Sequence, residues 1–330
     1  MKPMKAIVNT RYGTPDVLRL EEVAAPTPKD DEVQVKVRAA VVGPADCAFR
    51  KGEPFVVRLL YGLKRPKYAI GGTEFAGEVS AVGSAVTSFK PGDAVYGMSP
   101  DHFGAHAEYV CVRESKPLAP RPAGTSYEEA VGIMDGAPTA LTFLRSVARL
   151  EPGQRVLVNG ASGAVGSAAV QLARHFGAHV TGVCSTANVD MVKALGADEV
   201  IDYTREDFTR SGQTYDVIFD AVGKSSFSRC KRALTPQGVY MTTNVPSLPL
   251  ALQILWTSMV GGKKAKFTTA GLKQSQESLR FLKELAESGR LKATIDRCYP
   301  LEQAADAHRY VDTGRKKGSV VLVVAGQPAV

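Results

Sequence analysis

The sequence predicts an α/β protein in which a doubly wound parallel sheet is inserted in a second, β-rich domain. Three observations carry this prediction. The first ~120 residues hold short alternating strands broken by turn residues. The middle of the chain alternates strand and helix in units of roughly 25–30 residues, the signature of a parallel sheet with right-handed crossovers. The tail then ends in one more apolar strand, Ser319 to Val324.

The elements read in order as follows. Val33, Val35 and Val37 alternate with Glu32, Gln34, Lys36 and Arg38, the period-two pattern of a half-buried strand. Glu74 to Val82 is a second strand, set between Gly71-Gly72 and Gly83, and Pro91-Gly92-Asp93 turns the chain into a third. Such spacing suits a barrel-like or sandwich module. Further on, Arg155 to Asn159 is a short apolar strand. Residues 164–176 follow with Val165, Ala168, Leu172 and Phe176 on one helical face, stopped by Gly177. His179 to Cys184 is the next strand, and Asn188 is a candidate cap for a helix ending near Leu195. Strands are expected at Val200-Ile201, Asp216–Asp220 and Val239–Thr243, with a helix carrying Phe227, Cys230 and Leu234 between the last two. The tail predicts a helix over 274–288 with Leu279, Leu282 and Leu285 inward, a strand-like Ala293–Ile295, and a helix from Leu301.

The composition narrows the function classes. The chain has 330 residues, 44% hydrophobic and 22% charged, which is globular and excludes a disordered or collagenous protein. At ~150 residues per domain, about two domains are expected. No apolar run approaches the ~18 residues of a membrane span, and the early turn to polarity at Asn9 is too soon for a secretory signal. A soluble, cytoplasmic protein without a membrane partner is the expectation. Five scattered cysteines with no Cys-x-x-Cys fit reduced thiols better than a disulfide scaffold or zinc knuckle. The net charge of +8 leaves nucleic acid, an anionic surface and an anionic small molecule all open.

Asn159 to Gly166 (NGASGAVG) lies between a predicted strand and a predicted helix. Read as Ala161-x-Gly163-x-x-Gly166, it is a dinucleotide fingerprint with alanine in the first glycine position. Gly163 lets the backbone approach a pyrophosphate, Gly166 lets helix and strand pack closely, and the helix N-terminus supplies free N–H groups. The candidate cofactor residues are therefore Gly160, Ala161, Ser162, Gly163, Ala164, Val165 and Gly166. At the end of the second parallel strand, Ser185, Thr186 and Asn188 offer neutral donors, and no carboxylate follows until Asp190. A 2′-hydroxyl site usually has an acid there, so NADPH (NADP) is favoured over NADH. Ser185 and Asn188 also suit plain helix capping. Tyr203 follows the third strand, placed either near the adenosine phosphate or as an exposed tyrosine.

Six stretches together carry a resemblance. They are Gly71 to Val79 (GGTEFAGEV), Val82-Gly83 with Phe89 to Val95 (FKPGDAV), Gly104 to Tyr109 (GAHAEY), the glycine loop, Leu195 to Asp198 (LGAD), and Tyr215 to Gly223 (YDVIFDAVG). In this order and spacing the chain resembles the zinc-free quinone oxidoreductase branch of the medium-chain dehydrogenase/reductase superfamily. The resemblance implies a Rossmann domain inserted in a GroES-like catalytic domain, with the cofactor in the cleft between them. It implies boundaries at 1–124 (GroES-like, N-terminal part), 125–272 (Rossmann, NADP-binding) and 273–330 (completing the catalytic domain), and a homodimer.

Zinc-dependent relatives place Cys and His where this chain has Gly43 and Thr73, and neither is a plausible zinc ligand. The four-cysteine structural lobe is also absent, so no metal is expected, and the five histidines form no H-x3-H pair. The resemblance puts Asp46 in the cleft and Thr139 and Val222 near the nicotinamide. Asp46 and Thr139 are the catalytic candidates, although Asp46 also suits a turn after Pro44. The branch often carries Asn where Gly43 stands, so any contact made by that side chain is missing. The implied reaction is NADPH-dependent hydride transfer to quinones or α,β-unsaturated carbonyls. The rivals are a carbonyl/alcohol dehydrogenase and a nucleotide-sensing or RNA-binding protein, the latter without a dedicated basic-aromatic surface. Residues 50–67 hold six basic side chains against Glu53 and are either a solvated loop or a lid that steers anions. Leu248 to Met259 is apolar and lines either a substrate pocket or a dimer seam.

Overall fold

The computed structural model describes residues 2–269 and 274–324. They form two compact units, one of Met1–Asp135, Gln274–Ser288 and Lys292–Val330, the other of Gly136–Lys273 and Gly289–Leu291. The expected boundary between residues 272 and 273 lies outside the described residues.

The first unit opens with the hairpin β1 (Pro3–Val8) and β2 (Arg19–Ala24), paired antiparallel. Its main sheet gathers β3 (Glu32–Val41), β4 (Glu74–Val82), β5 (Ala94–Met98), β6 (Tyr109–Arg113) and β7 (Leu118–Pro120). The period-two pattern of β3 puts Val33, Val35 and Val37 fully inside. From Ala39 to Val41 the strand is buried on both faces, as expected of a central strand with neighbours on either side. Helices α1 (Pro44–Lys51) and α2 (Phe55–Tyr61) lie between β3 and β4, and α3 (Tyr127–Leu141) follows β7.

The second unit is built on β8 (Arg155–Asn159), α4 (Ala164–His175), β9 (His179–Cys184), α5 (Val189–Ala194), β10 (Glu199–Asp202), β11 (Tyr215–Asp220), the short α6 (Phe227–Cys230), β12 (Leu234–Thr242), α7 (Leu248–Met259) and β13 (Lys264–Lys266). All six strands run parallel in the order β10-β9-β8-β11-β12-β13. Numbered within the unit, that is 3-2-1-4-5-6, the doubly wound dinucleotide-binding order. Leu157, Ile218, Phe227 and Tyr240 centre its core.

The chain returns to the first unit with α8 (Gln276–Glu287), β14 (Ile295–Pro300), α9 (Ala304–Asp312) and β15 (Ser319–Val323). β15 pairs antiparallel with β3, Val321 opposite Val41, so both ends of the chain complete one seven-stranded sheet. Leu279, Leu282 and Leu285 of α8 are buried at the expected spacing.

Three local expectations change. Leu234 opens β12 and is not helical, because α6 tightens into a 3₁₀ turn at Lys231–Ala233 after a single α-turn. The strand expected at Ala293 begins at Ile295. Residues 55–61 of the basic segment are helical. No described helix is long and apolar enough to cross a membrane.

Candidate active site

In the second unit, the glycine loop joins β8 to α4. Gly160 takes φ +82°, and the N–H groups of Gly160 and Ala161 both donate to the Val183 carbonyl at 3.0 Å, tying the loop to β9. A Cβ on Gly166 would stand 2.0 Å from the Gly160 carbonyl oxygen, so the start of α4 lies directly on the loop backbone. Gly136 of α3 is equally tight, 2.2 Å from the Ala164 carbonyl. Gly163 differs: a Cβ there meets nothing nearer than 3.5 Å. That open approach, beside the first N–H groups of α4, is where the chain can take an anion.

The loop is also linked to the strand-end residues. The Asn188 side chain donates to the Ser162 and Ser185 hydroxyls, each at 3.2 Å. Asn188 precedes α5 but makes no capping bond with its side chain. Thr186 turns the other way and donates to Asp202 at the end of β10, at 2.5 Å. Hydrogen bonds from Thr186 and Thr204 hold the Asp202 carboxyl below its usual value, and Arg205 lies 3.6 Å away. Tyr203 is exposed, and Val222 stands over Gly160. Thr139 is half-buried on α3, one helical turn after Gly136.

Asp202 and Arg205 escaped the sequence reading. The signal was present, since parallel neighbours end together and β10 delivers its last residue beside β9. Asp220 was missed as well. Fully buried at the end of β11, it accepts from Asn159 (2.9 Å), Tyr240 (3.2 Å) and the Ser225 N–H (2.8 Å). It thereby fixes the loop that carries Val222.

The first unit holds Asp46 on the first turn of α1. The Asp46 carboxylate accepts the Gly43 N–H at 2.7 Å, the carboxylate half of a capping box. Burial raises its pKa most, and the charge of His106 and the Gly43 bond oppose the rise. The helix is pinned from its far end by Arg50, which donates to the Gly13 carbonyl at 2.7 Å and pairs with Asp312 at 2.5 Å. An ideal Cβ on Gly43 would stand 3.4 Å from an Asp135 oxygen and 3.6 Å from an Asp46 oxygen. Two carboxylates thus flank the residue that is often Asn in the branch. Lys316 pairs with Asp135 at 2.8 Å, both side chains about nine-tenths buried. Glu74 accepts from the Thr73 hydroxyl at 2.5 Å, and desolvation, then the charge of Asp46, raises its pKa.

At the two positions where zinc-dependent relatives place ligands, the groups present are engaged in local hydrogen bonds, Gly43 to Asp46 and Thr73 to Glu74. Among the described residues no group of three or more His, Cys, Asp or Glu side chains could hold a metal ion. His106 bonds the Val41 carbonyl at 2.7 Å, and His308 lies 3.4 Å from the Cys47 sulfur.

Residues 29–123 match the alcohol dehydrogenase GroES-like domain, and residues 195–322 match the zinc-binding dehydrogenase domain. The chain is 34% identical to 2-methylene-furan-3-one reductase of Solanum lycopersicum, over 97% of this chain and 79% of that one. It is 33% identical to the chloroplastic NADPH-dependent alkenal/one oxidoreductase of Arabidopsis thaliana, over 97% and 80%. The solved quinone oxidoreductase of Coxiella burnetii superposes with a TM-score of 0.88 at 30% identity, covering 98% of this chain and all of that one. The chain belongs to the zinc-free quinone oxidoreductase-like branch of the medium-chain dehydrogenase/reductases.

As a member of this branch it is an oxidoreductase that uses a nicotinamide cofactor and a small-molecule substrate. The glycine loop fits that cofactor on its own geometry, with Gly163 open, Gly160 closed by the Val222 side chain, Gly166 closed by the loop backbone, and hydroxyl and amide donors gathered at Ser162, Ser185 and Asn188. The quinone oxidoreductase-like frame also accounts for the order of the six parallel strands, whose β8 and β11 ends meet at the topological switch point.

Proposed function

We propose that this chain is an NADPH-dependent, zinc-independent reductase of quinones or α,β-unsaturated carbonyls. The observation that carries the proposal is the pair Gly43 and Thr73. Where a metal-dependent relative has ligands, this chain has a backbone donor and a hydroxyl, each committed to a neighbouring carboxylate. Neither position offers a metal ligand to polarise a plain carbonyl, which favours an acceptor that spreads the developing negative charge itself, as a quinone or enone does.

The bound nicotinamide supplies the hydride. The chain's own residues bind and orient. The α4 N-terminus and residues 160–166 take the pyrophosphate, with Val222 and Thr139 at the nicotinamide end. Ser185 and Asn188 are the neutral donors for a 2′-phosphate, the Thr186 hydroxyl being given to Asp202; Arg205 supplies a positive charge beside Asp202, and Tyr203 packs against the adenosine end. Asp46 holds a proton to a higher pH than an exposed carboxyl does, because burial opposes its charge. It is assigned the proton-holding role and Thr139 the hydroxyl that orients the reacting group. The printed names of the tomato and Arabidopsis relatives, a furanone reductase and an alkenal/one oxidoreductase, support an activated C=C acceptor.

The exposed stripe of Leu248, Leu252, Leu255, Trp256 and Met259 on α7 supports a homodimer. Five free cysteines support a reducing compartment such as the cytoplasm. The deciding experiment follows the absorbance of the reduced nicotinamide with a panel of quinones and enones. Consumption of NADPH well ahead of NADH is expected, and Ser185→Asp is expected to reverse the preference. No turnover on any member of the panel overturns the reading.

A further inference from the structure

The basic segment after α1 is a built surface. Tyr61 anchors α2 on its inner side, with ring centroids 4.7 Å from Phe49 and 5.3 Å from Phe103. The Tyr12 hydroxyl donates to the Gly62 carbonyl at 2.5 Å and fixes the helix end. The opposite side carries Phe55, Val56, Leu59, Leu60 and Leu63, each between 42% and 66% exposed. Phe55, Val56, Leu59 and Leu60, spaced by one, four and five, share one helical face, and Leu63 follows just past the helix end at Gly62. Soluble surfaces rarely gather large apolar side chains so densely, and such a patch marks an interaction site.

Directly after this face come Lys64, Arg65 and Lys67, which line an open groove of about 530 Å3 together with Asn9 and Thr10. None of these three cations joins an ion pair among the described residues; Lys67 lies 5.1 Å over the Tyr68 ring, and Arg58 is engaged with the Gly52 carbonyl and the Tyr12 ring. An apolar helix face bordered by a groove of cations without a carboxylate partner among the described residues is complementary to one kind of surface, an acyl boundary topped by phosphates. A second copy of the chain is the poorer match. The protein carries +8, and self-association here would bring like charges together.

We propose that residues 55–67 dock the protein on an anionic phospholipid bilayer. The outer face of α2 enters the acyl boundary, and Lys64, Arg65 and Lys67 take headgroup phosphates in the groove. Docking of this kind needs no spanning helix. It stands apart from the proposed reaction; only its consequence, access to quinones dissolved in the bilayer, rests on that reading.

The test mixes the full chain with vesicles of phosphatidylcholine alone or phosphatidylcholine with phosphatidylglycerol, and measures the fraction that sediments. Sedimentation with the anionic vesicles, and little with the neutral ones, is expected. Lys64→Glu with Arg65→Glu is expected to weaken partitioning by about fivefold or more per residue, and added salt to reduce it in the parent. Leu59→Ser with Leu60→Ser is expected to weaken it by at least about tenfold, with the circular dichroism unchanged because both side chains are exposed. The proposal is overturned if the parent stays in solution with anionic vesicles at low salt, or if both double variants sediment as it does. It is equally overturned if the Leu59/Leu60 variant dissociates an oligomer in vesicle-free sedimentation velocity, since the patch then faces a second copy. Vesicle binding requires neither cofactor nor substrate, so its failure leaves the reductase reading standing, and the reverse also holds.

Discussion

The Thr186 hydroxyl is held by the Asp202 carboxylate at 2.5 Å, across the ends of two neighbouring parallel strands. A fixed negative charge therefore sits within the region assigned to the 2′-phosphate, with Arg205 on its other side. Removing the charge while keeping the hydrogen bond favours the phosphorylated cofactor. Asp202→Asn is expected to tighten NADPH several-fold and loosen NADH, while Arg205→Ala loosens NADPH. Fluorescence titration with each nucleotide measures both, and a reversed order would place the 2′-phosphate elsewhere.

Gly163 and Gly166 should respond differently to alanine. At Gly166 the new Cβ meets loop backbone at 2.0 Å, so α4 must shift, at a cost of ~1–3 kcal/mol in overpacking. At Gly163 the methyl has room and φ is −80°, so folding is untouched, but the approach of a pyrophosphate is blocked. Gly166→Ala lowers both Tm and cofactor affinity. Gly163→Ala lowers affinity alone. Parallel thermal melts and titrations separate the two.

How much of this was legible follows from which constraints are local. The glycine loop, β3 and α8 were readable because backbone geometry and burial period are written in adjacent residues. Asp202 was not, because its relation to Thr186 depends on strand order, which joins residues sixteen apart through the sheet. Asn188 looked like a cap from its neighbours, yet its amide is drawn off by Ser162, twenty-six residues earlier. Leu234 kept the helical spacing with Phe227 and Cys230, and the sheet overrode it, since β12 needs that residue to pair with Tyr215 of β11. The surroundings of Asp46 were the least readable, being assembled from β4, α3 and the segment before β15.

His308 makes the protein acid-sensitive. Burial first, then the charges of His106, Arg50 and Lys51, hold its imidazole well below the usual histidine value. Below pH ~6.5 the unfolded chain gains a proton at this site that the native state does not take up. Stability therefore falls with decreasing pH, by up to ~1.4 kcal/mol per unit from this group. Urea melts at pH 7.5 and 5.5 should show that loss in the parent and a smaller one in His308→Gln.

Lys316 and Asp135 form an ion pair with both side chains about nine-tenths buried. Breaking it from one side leaves an uncompensated buried charge, which costs ~3–5 kcal/mol. Lys316→Met should lose about that much in urea unfolding, and Lys316→Met with Asp135→Asn should recover most of it. Equal losses in the single and double variants would mean that the lysine acts through packing alone.

The pairing of β15 with β3 joins Val321 to Val41, two residues far apart in the chain. A ribosome releases β3 long before its edge partner exists. The second unit is almost continuous in sequence and can close while synthesis proceeds. The first cannot finish its sheet until nearly the whole chain has emerged, and this high contact order makes it the slower unit to fold. During that interval Ala39–Val41 of β3 lack the partner that β15 supplies, and this stretch is an open template for strand addition. Premature termination before β15 would therefore yield a chain with one folded unit and an unfinished, aggregation-prone sheet.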